Sequence, residues 1–396
     1  MISVTKLLFA REYYGDGLRY NRDAHKMRNG AAAGIGPVVV YNSTRTCNLK
    51  CRHCYMGSDA QTYSDELTTV EAKKFIEDLA EFRVPVLLFS GGEPLIRADF
   101  YDLAEHAAKL NVRPTLSTNG TLIDRTVARR IKDIGVGYVG VSLDGLEEVN
   151  DKFRGTPGAY AKAMAGIEHC VAVGQRVGLR FTVNRHNFNE LEHIFDFIEA
   201  NGIDRVCFYH LVYAGRGSNM AADDLSPAES RAAMDIIIKR AEDFERRGLT
   251  KEILTVDNHC DGIYMYLQAE RAGDAKRAAQ IKKFLSRNGG NRSGLAFGEV
   301  DPLGYVHPDQ FTQHHTFGNV KERKFGDIWQ DTSHPIMAGL KDRKPLLKGR
   351  CAKCKFLSWC NGNFRTRAEA VTGDFWQSDP SCYLTDAEIG LSEVDP

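Results

Sequence analysis

Between Pro37 and His210 the chain alternates short β-branched runs with stretches in which apolar residues return every three or four positions. That alternation marks βαβ units on a parallel sheet. It predicts strands at 37–42, 85–90, 113–118, 136–143, 177–184 and 205–210. Helices fall between them at 68–82, 98–110, 124–134, 159–173 and 188–200, with Thr68 and Glu71 spaced as a capping box. Six strands are too few to close an eight-stranded barrel, so the expected fold is α/β, an open partial (β/α)6 barrel.

Downstream, the cap-like Ser226-Pro227 opens a helix through Arg247, and a second helical stretch covers 262–287. Asn288-Gly289-Gly290-Asn291 marks a boundary, after which Gly298 to His307 reads as a hairpin turning at Asp301 to Gly304. A small cysteine-rich module completes the pattern. Residues 1–36 are polar and weakly periodic, a flexible leading segment to which no chemistry is assigned. The expected organisation is an N-terminal segment 1–36, a barrel 37–220, a helical connecting region 221–290 and a cysteine-rich module 291–396. More than one unit is expected, because 396 residues exceed the roughly 300 over which one core grows.

Lysine plus arginine equals aspartate plus glutamate, 52 against 52. No overall field therefore favours nucleic acid or an anionic membrane, and an anionic ligand must be met by local cations. No apolar run approaches the roughly 20 residues of a membrane span, and the first residues lack a signal-peptide layout, so a cytoplasmic location is expected. Ten cysteines in such a chain point to metal or redox chemistry rather than a disulfide framework. Seven of the ten fall into two clusters.

The first is Cys47, Cys51 and Cys54, a C-x3-C-x2-C run just past the first predicted strand. Converging thiolates select zinc, Cu(I) or iron–sulfur. A closed zinc site and a fully protein-bound cluster each take four ligands, so three point to a cluster with one iron left for a small molecule. The second set, Cys351, Cys354, Cys360 and Cys382, completes a shell of four, for structural zinc or a second cluster. Cys170, Cys207 and Cys260 read as buried small apolar residues.

Polar clusters end three of the next strands: Ser90-Gly91-Gly92-Glu93-Pro94, Ser117-Thr118-Asn119-Gly120 and Ser142-Leu143-Asp144-Gly145. In parallel α/β arrays ligands bind at the carboxyl ends of strands, and glycine lets polar backbone come close to them. Each cluster alone also reads as ordinary turn chemistry.

The cysteine triplet followed by Gly91-Gly92-Glu93-Pro94 resembles the radical S-adenosylmethionine (radical SAM) superfamily over about residues 37–210. The resemblance implies a [4Fe–4S] cluster on Cys47, Cys51 and Cys54, whose open iron takes the amino and carboxyl groups of S-adenosylmethionine. It implies cofactor contacts from Gly91, Gly92, Glu93, Asn119, Ser142, Asp144 and Arg180. One departure is His53, since the residue before the third cysteine is usually aromatic in this family. The C-terminal cysteines, after the hairpin pattern Gly304-x-Val306-x-Pro308, resemble the superfamily's SPASM-like auxiliary-cluster modules, which implies a second [4Fe–4S] cluster there.

The stretches 208–218, 254–259, 317–323, 365–374 and 382–390 resemble the tetrapyrrole-modifying branch of that superfamily. This likeness implies an enzyme of heme biosynthesis that cleaves two acetate side chains from 12,18-didecarboxysiroheme to give iron coproporphyrin III. Its alternative is the heme d1 branch, which removes propionates from the same substrate. The partners implied are an iron-containing tetrapyrrole and an external electron donor such as a ferredoxin or flavodoxin. A peptide-modifying maturase is a further alternative. A scaffold carrying a cluster or heme is disfavoured, because a carrier needs no methionine-binding loop.

Carboxylates on the substrate call for arginine, and Arg180, Arg185 and Arg216 lie near the carboxyl ends of the fifth and sixth strands. Imidazole is a common iron ligand, which brings in His210, His259, His314 and His315. A separate metal site of His307, His314 and His315 is a weaker reading.

Overall fold

The computed structural model describes residues 1–21 and 26–391. Its sheet has ten strands: β1 Ile2–Ser3, β2 Val38–Asn42, β3 Val86–Ser90, β4 Arg113–Thr118, β5 Val139–Ser142, β6 Val177–Val183, β7 Arg205–His210, β8 Glu252–Val256, β9 Phe297–Val300 and β10 Val306–His307. They run in the order β1-β8-β7-β6-β5-β4-β3-β2-β9-β10. From β9 to β8 every pairing is parallel, and only the terminal strands β1 and β10 are antiparallel. The sheet therefore stays open, since its outer parallel strands pair with β1 and β10 and not with each other.

The six predicted strands are β2 to β7, and the helices between them match their predicted places, with Thr68 and Glu71 forming the expected capping box. Two parallel strands lie outside the predicted set. β8 falls within 221–290 between helices, and β9 is the first arm of the predicted hairpin, which pairs with β2 as well as with β10. The predicted helix at 262–287 is two helices, Cys260–Arg271 and Ala275–Asn288, separated at Gly273 with φ +70°. A further helix, Glu147–Arg154, stands in the loop after β5.

Strand parity sorts the side chains. On β7, Val206 and Phe208 face the outer helices, where Phe208 packs on Phe195, while Arg205, Cys207 and Tyr209 line the interior. On β6, Phe181 packs outward and Arg180 inward. The outer layer is apolar, while the interior is mixed, with arginines and tyrosines from β4 to β7 facing apolar residues such as Val38, Val86, Leu88 and Phe297.

The leading segment corrects an expectation. It is not a flexible tail: Ile2, Val4 and Leu7 are buried in the main core, and β1 pairs with β8. Ser3 caps the helix Val4–Phe9, whose carbonyls at Leu7 and Leu8 accept from the Gln280 amide at 2.8 and 3.0 Å. Tyr14 lies under Arg113 and Arg176, with guanidinium carbons 4.5 and 4.0 Å from the ring centre, so the segment floors the barrel near the start of β4. Polar residues between the apolar anchors hid the periodicity.

Leu7→Ala is expected to cost roughly 2–4 kcal/mol, as for other fully buried leucines. Thermal denaturation checks this, with a drop of several degrees against no change for a solvated tail.

Candidate active site

The loop carrying Cys47, Cys51 and Cys54 has little regular structure, so tertiary contacts must shape it. From below, Gly92 N–H donates to Thr44 O at 2.7 Å and Glu93 N–H to Thr46 O at 2.9 Å. A Cβ on Gly91, at φ +117°, would meet Thr44 O at 2.5 Å, and one on Gly92 would meet Thr46 O at 2.1 Å. The glycines are required first by the chain's own backbone, although both also line the cavity. Glu93 is wholly buried and does not line it. Its carboxylate accepts from Thr118 Oγ1 at 2.8 Å, Asn119 N–H at 2.8 Å and Leu95 N–H at 3.1 Å, and burial still pushes its pKa up to about 7. It joins the ends of β3 and β4.

From the side, Asp144 holds the loop through Arg154. Asp144 has no exposed surface. Its Oδ1 accepts from Thr182 N–H at 2.8 Å, and its Oδ2 lies 2.5 Å from Arg154 Nη2 and 3.4 Å from His53 Nε2. Arg154 Nη1 in turn donates to Cys51 Sγ at 3.6 Å. His53 packs on Phe153 with ring centres 4.7 Å apart, and burial lowers its pKa to about 4, so it is neutral. The position usually aromatic is thus filled by an imidazole used as a flat ring. Asp144 supports the site from behind its wall. Arg154, which no sequence motif singles out, brings a cation to within 3.6 Å of the Cys51 thiol. Its signal was the acidic start and basic end of the helix Glu147–Arg154.

From above, Arg216 Nε donates to Cys51 O at 2.8 Å and its Nη1 to Ser58 O at 2.7 Å, so this arginine staples the cysteine loop. Arg185 is half exposed, and its donors go to Glu229 and the Ala222 carbonyl, away from the cavity. Asn119 Nδ2 donates to Asn48 Oδ1 at 2.8 Å and approaches Cys47 Sγ at 3.9 Å.

All three cysteines line one cavity of about 140 Å³ with Gly91, Gly92, Asn119, Ser142 and Arg180. Burial pushes the Cys47 thiol up to about 12, as befits a soft ligand that ionises when a metal takes it. A second cavity of about 310 Å³ fills the barrel and shares Arg180, Tyr209, Asp257, Gln310 and Phe311 with the first. Its lining includes Arg19, Arg113, Arg180, Arg205 and Arg292 against Asp257 and Asp309. Arg205 faces Glu252 at 3.4 Å, and Arg19 pairs with Asp16 and Glu252. Among the described residues Arg113, Arg180 and Arg292 form no ion pair; Arg180 stacks 4.6 Å over Tyr209, and Arg292 donates to the Gly30 carbonyl at 2.9 Å.

The histidines separate. His210 lies at the mouth of the first cavity, but parity turns its ring outward, where Nε2 meets Asp261 Oδ2 at 3.0 Å. His259 lines the barrel cavity, kept neutral by burial, with Nε2 3.1 Å from the Met1 nitrogen. His307 is buried beside Asp301 and reaches His315 only at its carbonyl, while the rings of His314 and His315 meet Glu369.

At the other end of the chain Cys351, Cys354, Cys360 and Cys382 line a pocket of about 20 Å³. Cys260 joins them in lining that pocket, its thiol donating to Asn258 Oδ1 at 2.8 Å, a place that its isolated position in the sequence does not suggest. The module is tied to the barrel by Arg367, wholly buried, which meets Asp379 at 2.7 Å and donates to the Leu211 and Asp257 carbonyls.

Residues 41–198 match the family profile of the radical SAM superfamily. Across its whole length the chain is 51% identical to the full Fe-coproporphyrin III synthase of Methanosarcina barkeri. The chain belongs to the radical SAM superfamily. It is also 43% identical to the pre-heme d1 synthase of Dinoroseobacter shibae, over 90% of this chain and 88% of that one. The crystal structure of Streptococcus suis SuiB bound to S-adenosylmethionine superposes with a TM-score of 0.69 at 17% identity, over 89% of this chain and 78% of that one. That likeness speaks for the radical SAM fold alone. Membership implies a [4Fe–4S] cluster and S-adenosylmethionine, and a soft three-thiol set beside a glycine-floored cavity fits such a pair. Among the described residues no helix is long and apolar enough to cross a membrane.

Asp144→Asn is expected to cost roughly 3–5 kcal/mol by leaving Arg154 buried without its partner, and adding Arg154→Met to restore part of that loss. Calorimetry of the cluster-free protein checks both.

Proposed function

We propose that this chain removes two acetate side chains from 12,18-didecarboxysiroheme to leave iron coproporphyrin III. The observation that carries the reading is the 51% identity over the whole of both chains with a protein named Fe-coproporphyrin III synthase. The cationic barrel supports it, because the substrate is a polycarboxylate and, among the described residues, three arginines of the cavity lining form no ion pair.

In this reading Cys47, Cys51 and Cys54 hold the catalytic [4Fe–4S] cluster, and Gly91, Gly92, Asn119 and Ser142 line the seat of S-adenosylmethionine. Together, when bound and reduced by an external donor such as a ferredoxin or flavodoxin, they supply hydrogen-abstracting radical chemistry. The protein's own work is positional. Arg180, backed by the Tyr209 ring, presents a cation to a carboxylate where the two cavities join. Arg113 and Arg292 meet further carboxylates deeper in the barrel. Phe311, with ring centres 5.3 Å from Tyr55 and 5.5 Å from Phe364, walls the junction against water. Cys351, Cys354, Cys360 and Cys382 hold a second, closed [4Fe–4S] cluster that relays or accepts electrons.

Mass analysis after incubation with didecarboxysiroheme, dithionite and S-adenosylmethionine tests the reading. Loss of two acetates is expected; loss of propionates would move the chain to the pre-heme d1 reaction of its 43% relative. Cys51→Ala should abolish 5′-deoxyadenosine formation. Anaerobic reconstitution should give about eight irons per chain, and zinc in the C-terminal site would overturn the second cluster. Arg180→Ala is expected to raise KM for the tetrapyrrole roughly ten- to hundred-fold, as loss of one charge-assisted contact does.

A further inference from the structure

The loop after β10 meets the helix Arg365–Thr372 at three side chains that the proposed reaction does not use. His314 Nε2 lies 2.7 Å from Glu369 Oε2, and His315 Nε2 lies 3.0 and 3.2 Å from the two oxygens of the same carboxylate. One ligating atom from each of the three falls within 4.8 Å of the others. Two imidazoles and one carboxylate converging on a point, with water able to reach the remaining side, form the donor set of open zinc sites and of facial iron sites. His314 is exposed, while His315 and Glu369 are mostly covered, so the point is reachable yet partly walled.

We propose that His314, His315 and Glu369 bind one divalent transition-metal ion, zinc or ferrous iron, which clamps the cavity wall to the C-terminal module. The surroundings are built for it. His307, at the end of β10, donates through Nδ1 to the His315 carbonyl at 3.0 Å and fixes the backbone of the ligand pair. Phe375 packs edge-on against His315, with ring centres 5.2 Å apart, and sets its plane. Histidine ligands held by outer contacts of this kind lose little orientational freedom on binding.

The site bridges the two pieces of chain that wall the active cavity. Gln310 and Phe311, which line both cavities, lie just before His314 in the same loop. Phe364, which packs on Phe311, immediately precedes the helix that carries Glu369. A metal ion at this point joins both ends of that wall by coordinate bonds, where otherwise only hydrogen bonds and ring contacts hold it. The inference is independent of which tetrapyrrole the enzyme takes.

The experiment uses the full, cluster-loaded protein, freed of loosely held metal by a chelator and titrated with Zn²⁺ in a calorimeter. About one saturable zinc per chain is expected, together with a rise in melting temperature at saturation. His315→Ala and Glu369→Gln are each expected to weaken binding at least ten-fold and to remove the thermal shift, while iron content and cluster absorbance stay at the wild-type level. His334→Ala, a nearby histidine outside the set, should leave both intact. Absence of saturable binding, or binding that survives His315→Ala combined with Glu369→Gln, would overturn the proposal.

Discussion

A carboxylate with no exposed surface organises the mouth of this barrel. Asp144 meets Arg154, the neutral His53 and the Thr182 amide, and Arg154 reaches Cys51. A buried carboxylate is tolerated when opposite charge and donors surround it, and these partners then become fixed points. The cysteine loop, which lacks a ladder of its own, borrows its shape from them. It is braced again by Arg216 from above and by the Gly92 and Glu93 amides from below. Three thiols separated by three and two residues converge because three other strand ends hold the loop.

The barrel interior obeys a related logic. On β4, β6 and β7 parity leaves Arg113, Arg180, Arg205 and Tyr209 facing inward, opposite apolar wall residues such as Val38, Val86, Leu88 and Phe297. Arginines unpaired by carboxylates are costly in a closed core. They are sustained here by aromatic faces, Tyr14 under Arg113 and Tyr209 under Arg180, and by open space. A chain with no net charge thereby holds a local excess of cations in the barrel, which suits an anionic ligand.

The C-terminal module is packed into this arrangement as a working part. The buried Arg367–Asp379 pair reaches the loops after β7 and β8, Cys260 from the barrel side joins the module's four cysteines, and Phe364 touches the loop that walls the cavity. The cysteine-rich module and the barrel cavity therefore share a wall at Phe364 and Phe311.

The sequence alone determined the six central strands and their helices, the two cysteine sets and the glycine pair, because each depends on local periodicity or on spacing within a few residues. It also carried the family, through motifs whose chemistry needs those residue types side by side. Only the tertiary structure decided the rest. The leading segment and β8 acquire their places from distant partners, so their short, mixed patterns read as loop. Arg216 and Arg185 looked alike as cations near the strand ends, but Arg216 lines the first cavity while it staples the cysteine loop and Arg185 faces outward. Glu93 and Asp144 support the site from within the protein. Glu369 joined His314 and His315 in place of His307, from a helix more than fifty residues away. Which side of a strand a residue faces can be counted from sequence, but which partner waits there depends on how separate elements pack.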